Sequence, residues 1–150
     1  MDLTVKHFRD LSTSQLYEIL RLRSEVFIVE QQGCYQDLDG IDCRSLHIFL
    51  PDEDGSVLGC VRIFPAEGRP GTVQIGRLVV RNRRTGLGTR LMEEAARQAE
   101  LRYGARDLYL TGRRSAREFY EACGYTAHLP DCYQTEDEAL YFEFTRSVRQ

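Results

Sequence analysis

The sequence predicts an α/β fold of the α+β mixed-sheet kind, a single domain with helices packed on a mixed sheet. Three observations predict it. Short β-rich runs alternate with segments of helical periodicity along the chain, a polar turn joins two of the runs, and a glycine loop after a third run opens a long amphipathic helix. The 150 residues amount to one domain's worth of chain. That domain is expected to span residues 1–150. Hydrophobic residues make up 42% and charged residues 29%, the balance of a soluble globular protein.

The elements follow in order. Residues 3–8 read as a short strand. Ser12-Thr13-Ser14-Gln15 has the Ser-x-x-Gln form of a capping box, so a helix starts there with Leu16, Ile19, Leu20 and Phe27 as its apolar stripe. Gln32–Arg44 contains Gly33, Gly40, Asp37, Asp39 and Asp42 with little periodicity, and reads as a loop long enough to suspect a function. Leu46–Leu50 and Val57–Phe64 flank Asp52-Glu53-Asp54-Gly55, a hairpin turn signal, so these runs are expected to pair antiparallel. Thr72–Val80 is another strand. After Gly86-Leu87-Gly88 comes a helix whose Leu87, Leu91, Ala95 and Ala99 fall four apart, with Met92 and Ala96 beside them and Gly104 as a stop. Asp107–Thr111 reads as a strand, Ser115–Cys123 as a short helix ended by Gly124, and Ala139–Thr145 as the last strand.

Charge and cysteine usage narrow the function classes. A net charge of −3 and a pI near 5.7 give no global field for a polyanion, so nucleic acid is excluded as an expected partner. Lys6 is the only lysine among 20 basic residues, which an arginine-biased genome explains and which also suits forked contacts with phosphate. Cys34, Cys43, Cys60, Cys123 and Cys132 form no Cys-x-x-Cys pair and have no histidine at ligand spacing, so no metal is expected. No apolar run approaches the roughly 18 residues of a membrane span, and Met1–Lys6 lacks a signal-peptide core. A cytoplasmic protein with reduced thiols and no membrane partner is expected.

Arg83-Arg84-Thr85-Gly86-Leu87-Gly88 lies between a strand and a helix N-terminus, where unpaired N–H groups and the positive helix end attract an anion. Arg81, Arg83, Arg84 and Arg90 add positive charge, which points to a phosphorylated ligand. The loop lacks the Gly-Lys-Ser/Thr of a Walker A motif, and leucine at position 91 excludes Gly-x-Gly-x-x-Gly. Taken alone, a glycine-closed turn with solvated arginines would explain it equally well.

It does not stand alone. Arg83-x-x-Gly86-x-Gly88 after the strand resembles motif A of the GNAT acyltransferases, and Ala116-x-x-Phe119-Tyr120-x-x-x-Gly124-Tyr125 resembles their next motif, at a matching distance. Leu22-Arg23-x-x-Val26-Phe27-x-Val29-Glu30-Gln31, followed by Tyr35-Gln36-Asp37-Leu38-Asp39-Gly40-x-Asp42, is similar to the ElaA-like branch. The resemblance implies a GNAT N-acyltransferase fold and an acyl-CoA co-substrate, usually acetyl-CoA. It also implies a pantetheine arm between the strands Thr72–Val80 and Asp107–Thr111. By position, the backbones of Leu78 and Val80 would pair with that arm, and Arg83, Arg84, Gly86, Gly88 and Thr89 would hold the pyrophosphate. The acceptor would be an amine, on a small molecule or a protein, and a homodimer is an expectation because family members are often dimers. Two positions depart from the family. Arg113 stands where many members have an asparagine, and Gln74 where many have a glutamate as general base; an amide takes no proton from an ammonium.

Acetyl transfer to an amine that is protonated at pH 7 needs a proton acceptor. Glu30, at the end of the first helical region, is the candidate, with a water chain as the alternative. Tyr120 matches the tyrosine that protonates the departing thiolate in many GNAT enzymes; the alternative is an aromatic pair with Phe119 that packs the helix. A backbone N–H near Leu78 would meet the oxyanion. His7, His47 and His128 fall in no motif and read as structural, and Cys123 as a core thiol.

If Thr72–Val80 alternates, Arg77 shares a face with Val73, Ile75 and Val79 and needs a carboxylate, which Asp39 and Asp42 would supply. Arg23 and Arg62 would join this network and tie the loop down. Glu30, Asp39 and Arg77 are accordingly the candidate acceptor-binding residues, and the acidic loop favours a cationic amine. Two rival readings stand beside the acetyltransferase. Gly59-x-x-Arg62-x-x-Pro65 with the same charged residues resembles the acyl-homoserine-lactone synthases, and the missing carboxylate at Gln74 suits a non-catalytic acyl-CoA-binding regulatory protein.

Overall fold

The computed structural model describes residues 1–149. Seven strands form one mixed sheet in the order β1-β2-β3-β4-β5-β7-β6: β1 Thr4–His7, β2 Leu46–Pro51, β3 Val57–Pro65, β4 Thr72–Val80, β5 Asp107–Arg113, β6 Thr126–His128 and β7 Tyr141–Ser147. The helices are α1 Thr13–Arg23, α2 Leu87–Tyr103 and α3 Arg117–Ala122. The mixed α/β class read from the sequence is the one observed. The chain divides into two compact units, Met1–Phe64 with Arg77–Ala95, and Pro65–Gly76 with Ala96 onward.

In the first unit, α1 opens on the predicted capping box. The Gln15 amide donates to Ser12 Oγ at 3.0 Å, and Gln15 Oε1 accepts from the Ser12 amide at 2.9 Å. At Arg23 the α-helix gives way to a π-helical turn, Ser24–Glu30, over the last part of the helical region that the sequence carries to Glu30. The run Val26-Phe27-Ile28-Val29 is poor in α propensity, and the wider turn lets the Gln31 amide reach the Val26 carbonyl at 2.9 Å. The core gathers Ile19 and Leu22 of α1 against Phe49, Val57, Cys60 and Val79. β2 and β3 pair antiparallel as expected, Leu46 opposite Ile63. Gly59 of β3 is a close-approach glycine: a Cβ there would stand 2.8 Å from Leu87 Cδ2 and 3.1 Å from Leu91, so its absence seats the start of α2 on the sheet.

In the second unit, β4 runs parallel to β5 over Thr72↔Asp107 to Gln74↔Tyr109, and β5 pairs antiparallel with β7 from Asp107↔Ser147 to Arg113↔Tyr141. Leu108, Leu110, Phe142 and Phe144 are buried on one face, while Tyr109, Thr111, Glu143 and Thr145 share the other. Gly104, at φ +61°, ends α2, and the Ala105 amide reaches back to the Ala99 carbonyl at 3.2 Å. The three-residue β6 was not read from the sequence; it exists because β7 offers it an edge, with Thr126 opposite Thr145.

Candidate active site

The loop between β4 and α2 lies in the first unit. Arg84 takes φ +63° and Gly86 φ +79°, left-handed conformations that turn the backbone sharply before Leu87 starts the helix. A Cβ on Gly86 would meet nothing within 4 Å, so packing does not require the glycine; the backbone turn does, and the space above it is open. Thr85 Oγ1 donates to the Asn82 carbonyl at 3.2 Å and accepts from the Leu87 amide at 3.4 Å, fixing the turn. The first amides of α2 have no acceptor within the helix, Leu87 being met by Thr85 Oγ1, and the positive end of the helix dipole lies there. Gly88 and Thr89 supply two of them. The flanking arginines differ. Arg81 reaches Ser56 Oγ at 3.5 Å, and Arg90 donates to the Met1 carbonyl at 2.9 Å, so Arg90 is engaged with the N-terminus. Arg83 pairs with Glu30 at 3.5 Å, both side chains more than 60% exposed. The π-helical turn thus brings Glu30 to the glycine loop. Leu78 and Val80 lie on β4 just before that loop.

The second feature of this unit is an ionic network. Arg23, only 1% exposed, donates through Nε to Asp37 Oδ2 at 3.1 Å, through Nη1 and Nη2 to both Asp42 oxygens at 2.7 and 3.2 Å, and through Nη2 to the Asp37 carbonyl at 3.1 Å. Arg62 holds Asp39 in a forked pair at 2.9 and 2.7 Å and touches Asp42 at 3.0 Å. Arg77 pairs with Asp37 at 2.8 Å and Asp39 at 3.3 Å. The expected tie between loop and sheet is present, with two corrections. Arg77's partners are Asp37 and Asp39, not Asp42. Arg77 is half-buried rather than a core residue, because φ +53° interrupts the alternation of β4 and turns the side chain toward the loop. Asp37 was the member missed, since nothing in a non-periodic loop ranks its three aspartates. Three arginines now balance three aspartates, which cancels the preference of the acidic loop for a cation.

The electrostatic consequences are directional. The hydrogen bonds from Arg62 hold the Asp39 carboxyl well below the ordinary range. Burial alone would raise Asp42, but hydrogen bonds and charge from Arg23 and Arg62 outweigh it and lower the group. His47 is buried, its Nε2 lies 2.9 Å from the Asp42 carbonyl, and burial lowers its pKa, so it serves the network as a neutral side chain. Burial pushes the Cys60 thiol up to about 12.

Tyr120 lies on α3 in the second unit. Its ring sits on Gly112 of β5, where a Cβ would come within 2.6 Å of the ring, and it packs against Phe119, Phe144 and Tyr125 at centroid distances of 5.2, 5.0 and 6.4 Å. Burial, with a smaller effect of Cys123, pushes its pKa up to about 12. Gly124, at φ +93°, closes the turn after α3, and the Tyr125 amide donates to the Tyr120 carbonyl at 3.0 Å. The short helix is seen, Arg117–Ala122 after a 3-10 turn at Arg114–Ala116, and Phe119 and Tyr120 make the edge-to-face pair that was the alternative reading of this motif. Among the described residues no group of three or more His, Cys, Asp or Glu could hold a metal ion, and no helix is long and apolar enough to cross a membrane.

The strand, glycine turn and long helix of the first unit, and the short helix with its aromatic pair in the second, are the elements of an acyltransferase. The sequence pattern of the Acetyltransferase (GNAT) family matches residues 14–125, and the chain belongs to that family. Within it, the chain is 32% identical to protein ElaA of Escherichia coli over 148 residues, 96% of this chain and 95% of ElaA. It is 30% identical to a UPF0039 protein of Schizosaccharomyces pombe over 128 residues, 83% of this chain and 84% of that one. Among solved structures it is similar to Escherichia coli ElaA, with TM-score 0.84 and 28% identity, and to an acyl-CoA N-acyltransferase from Pseudomonas aeruginosa, with TM-score 0.82 and 33% identity. Each likeness covers 97% of this chain and 98% of the other.

Proposed function

We propose that the chain is a cytoplasmic N-acetyltransferase that moves an acetyl group from acetyl-CoA to a primary amine by direct attack on the thioester. The observation that carries this reading is the glycine turn Arg83–Gly88, with its left-handed Arg84 and Gly86 and the open space over Gly86. In the proposal, the amides of Gly86, Gly88 and Thr89 and the side chains of Arg83 and Arg84 hold the pyrophosphate. The backbones of Leu78 and Val80 pair with the pantetheine arm, and an N–H near Leu78 receives the developing oxyanion. Asp39 and Arg77 border the acceptor.

The amine, with a pKa near 10 when free, gives up its proton to Glu30 directly or through water. Its nitrogen then attacks the thioester carbon, the carbon–sulfur bond breaks, and the second proton of the nitrogen passes to the departing thiolate directly or through water, leaving the N-acetyl product and CoA thiol. At a pKa of about 12 the Tyr120 phenol stays protonated throughout the working pH range. A thiol has a pKa near 8.5, so full proton transfer from such a phenol is uphill by roughly 5 kcal/mol. Tyr120 therefore acts first as a hydrogen-bond donor to the departing sulfur.

The test is a screen of primary amines with acetyl-CoA that reads release of free thiol. Amine-dependent release is expected. Acetyl-CoA binding with no turnover on any amine would overturn the enzymatic reading in favour of a regulatory acyl-CoA-binding protein.

A further inference from the structure

In the second unit, one face of the sheet carries polar side chains in register: Thr72 beside Asp107, and Gln74 beside Tyr109 beside Thr145. Three side chains here form a cluster to which the acyl-transfer steps proposed above give no role. Tyr109 donates its hydroxyl to Glu143 Oε1 at 3.2 Å. The Arg69 guanidinium lies 3.9 Å from the centre of the Tyr109 ring, with Nη2 4.0 Å from Glu143 Oε2. Arg69 comes from the turn between β3 and β4, which is closed by the Ala66 amide on the Thr72 carbonyl at 2.9 Å and the Thr72 amide on the Arg69 carbonyl at 3.1 Å.

A ring face beside a carboxylate is a receptor for an organic cation. The chain's own guanidinium shows that such a cation fits. Its hold on the carboxylate is weak, the ion pair being at the outer limit of contact with Arg69 and Glu143 43% and 35% exposed, so what mainly keeps it there is Tyr109, through its ring face and hydroxyl. A cleft of about 470 Å³ adjoins it, lined by Arg69, Thr72, Asp107, Thr126, Thr145 and Ser147 among others. This gives room and hydroxyl groups for the body of a ligand. Arg146, also at the cleft, is engaged with the carbonyls of Cys123, Ser147 and Val148. Asp107 lies two residues before Tyr109 on the same face, which on a strand is about 7 Å away. That is the spacing of the two charges of a short extended diamine.

We propose that Tyr109, Glu143 and Asp107 form a binding site for a short organic dication, one charge on the Tyr109–Glu143 pair and the other at Asp107, with Arg69 as an internal occupant that the ligand displaces. The proposal involves no covalent step and does not depend on acyl transfer.

Agmatine, which carries a guanidinium and a primary ammonium, is the probe, titrated calorimetrically into the full chain. Removing the competitor in Arg69→Ala should tighten binding by roughly 3- to 10-fold, the range expected of an exposed cation–π contact with a weak ion pair. Glu143→Gln and Asp107→Asn, each combined with Arg69→Ala, should weaken it at least about tenfold relative to Arg69→Ala alone. Tyr109→Leu, which removes the ring face, gives an independent arm, and a thermal melt of every variant confirms folding. Equal or weaker agmatine binding by Arg69→Ala would overturn the proposal, leaving Arg69 as a clasp for its turn. Unchanged binding in both the Glu143→Gln and Tyr109→Leu variants would overturn it as well.

Discussion

Arg23→Ala tests how far the ionic network holds the 32–44 loop. The substitution removes four donor contacts of 2.7 to 3.2 Å from a side chain that is 1% exposed. Breaking a buried ion pair from one side costs about 3–5 kcal/mol, because the remaining charge is left without compensation. Here the loss is moderated, since Asp37 keeps Arg77 at 2.8 Å and Asp42 keeps Arg62 at 3.0 Å. The lower end of the range applies, about 3 kcal/mol, which for a chain of this size corresponds to a fall in Tm of roughly 6–12 °C. Arg21→Ala is the control. Arg21 is exposed and reaches Glu18 and Glu25 only at 3.5 and 3.4 Å, so its loss should cost under about 1 kcal/mol. Urea unfolding followed by circular dichroism, with unchanged m, gives both numbers on one scale. An Arg23→Ala cost as small as that of Arg21→Ala would refute the reasoning, and the network would then be a surface feature in energetic terms.

Three further outcomes are expected. Tyr120→Phe keeps the ring packing and should lower kcat by roughly 100-fold with little change in acetyl-CoA affinity; because the phenol titrates near 12, wild type should show no loss of rate from this group up to pH 10. Glu30→Gln should lower activity most near neutral pH with partial recovery at high pH if Glu30 accepts the proton, whereas a raised acceptor KM at unchanged kcat would reassign it to acceptor binding. For stability, Asp39 and Asp42 have folded pKa values below their unfolded ones, so their contribution is complete above about pH 4 and is lost as pH falls below it. The buried Cys60 thiol has the opposite sign: its folded pKa of about 12 exceeds the unfolded value, so stability declines as pH rises above about 8.5. A urea midpoint independent of pH from 3 to 7 would contradict the first half of this linkage.

What the sequence disclosed was local and repetitive. The capping box at Ser12–Gln15, the i, i+4 stripe of α2 and the strand Thr72–Val80 are each written in contiguous residues, and each is seen as read. The glycine turn ahead of α2 was legible because a left-handed backbone position favours glycine, here at Gly86. The departures arose where tertiary contacts decide. The π-helical turn at Ser24–Glu30 has no sequence period of its own, and it is what brings Glu30 to Arg83. At Arg77, a left-handed residue inside β4 is met by Asp37, Asp39 and the Tyr35 ring, partners that alternation does not reveal, so of the two carboxylates expected for it Asp39 is seen and Asp42 is not. The Arg69–Tyr109–Glu143 cluster joins a turn to two strands far apart in sequence, and no motif announces it.

The central claim, that the glycine turn is built for the phosphates of acetyl-CoA, is tested most directly by calorimetric titration of acetyl-CoA into wild type and Gly86→Val. At φ +79° a β-branched residue is strained, and its side chain would fill the open space over the turn. Saturable binding to wild type and a loss of at least about 100-fold in the variant, with thermal unfolding still cooperative, is the predicted result. Equal affinity of both proteins for acetyl-CoA, or no binding to wild type, would contradict it.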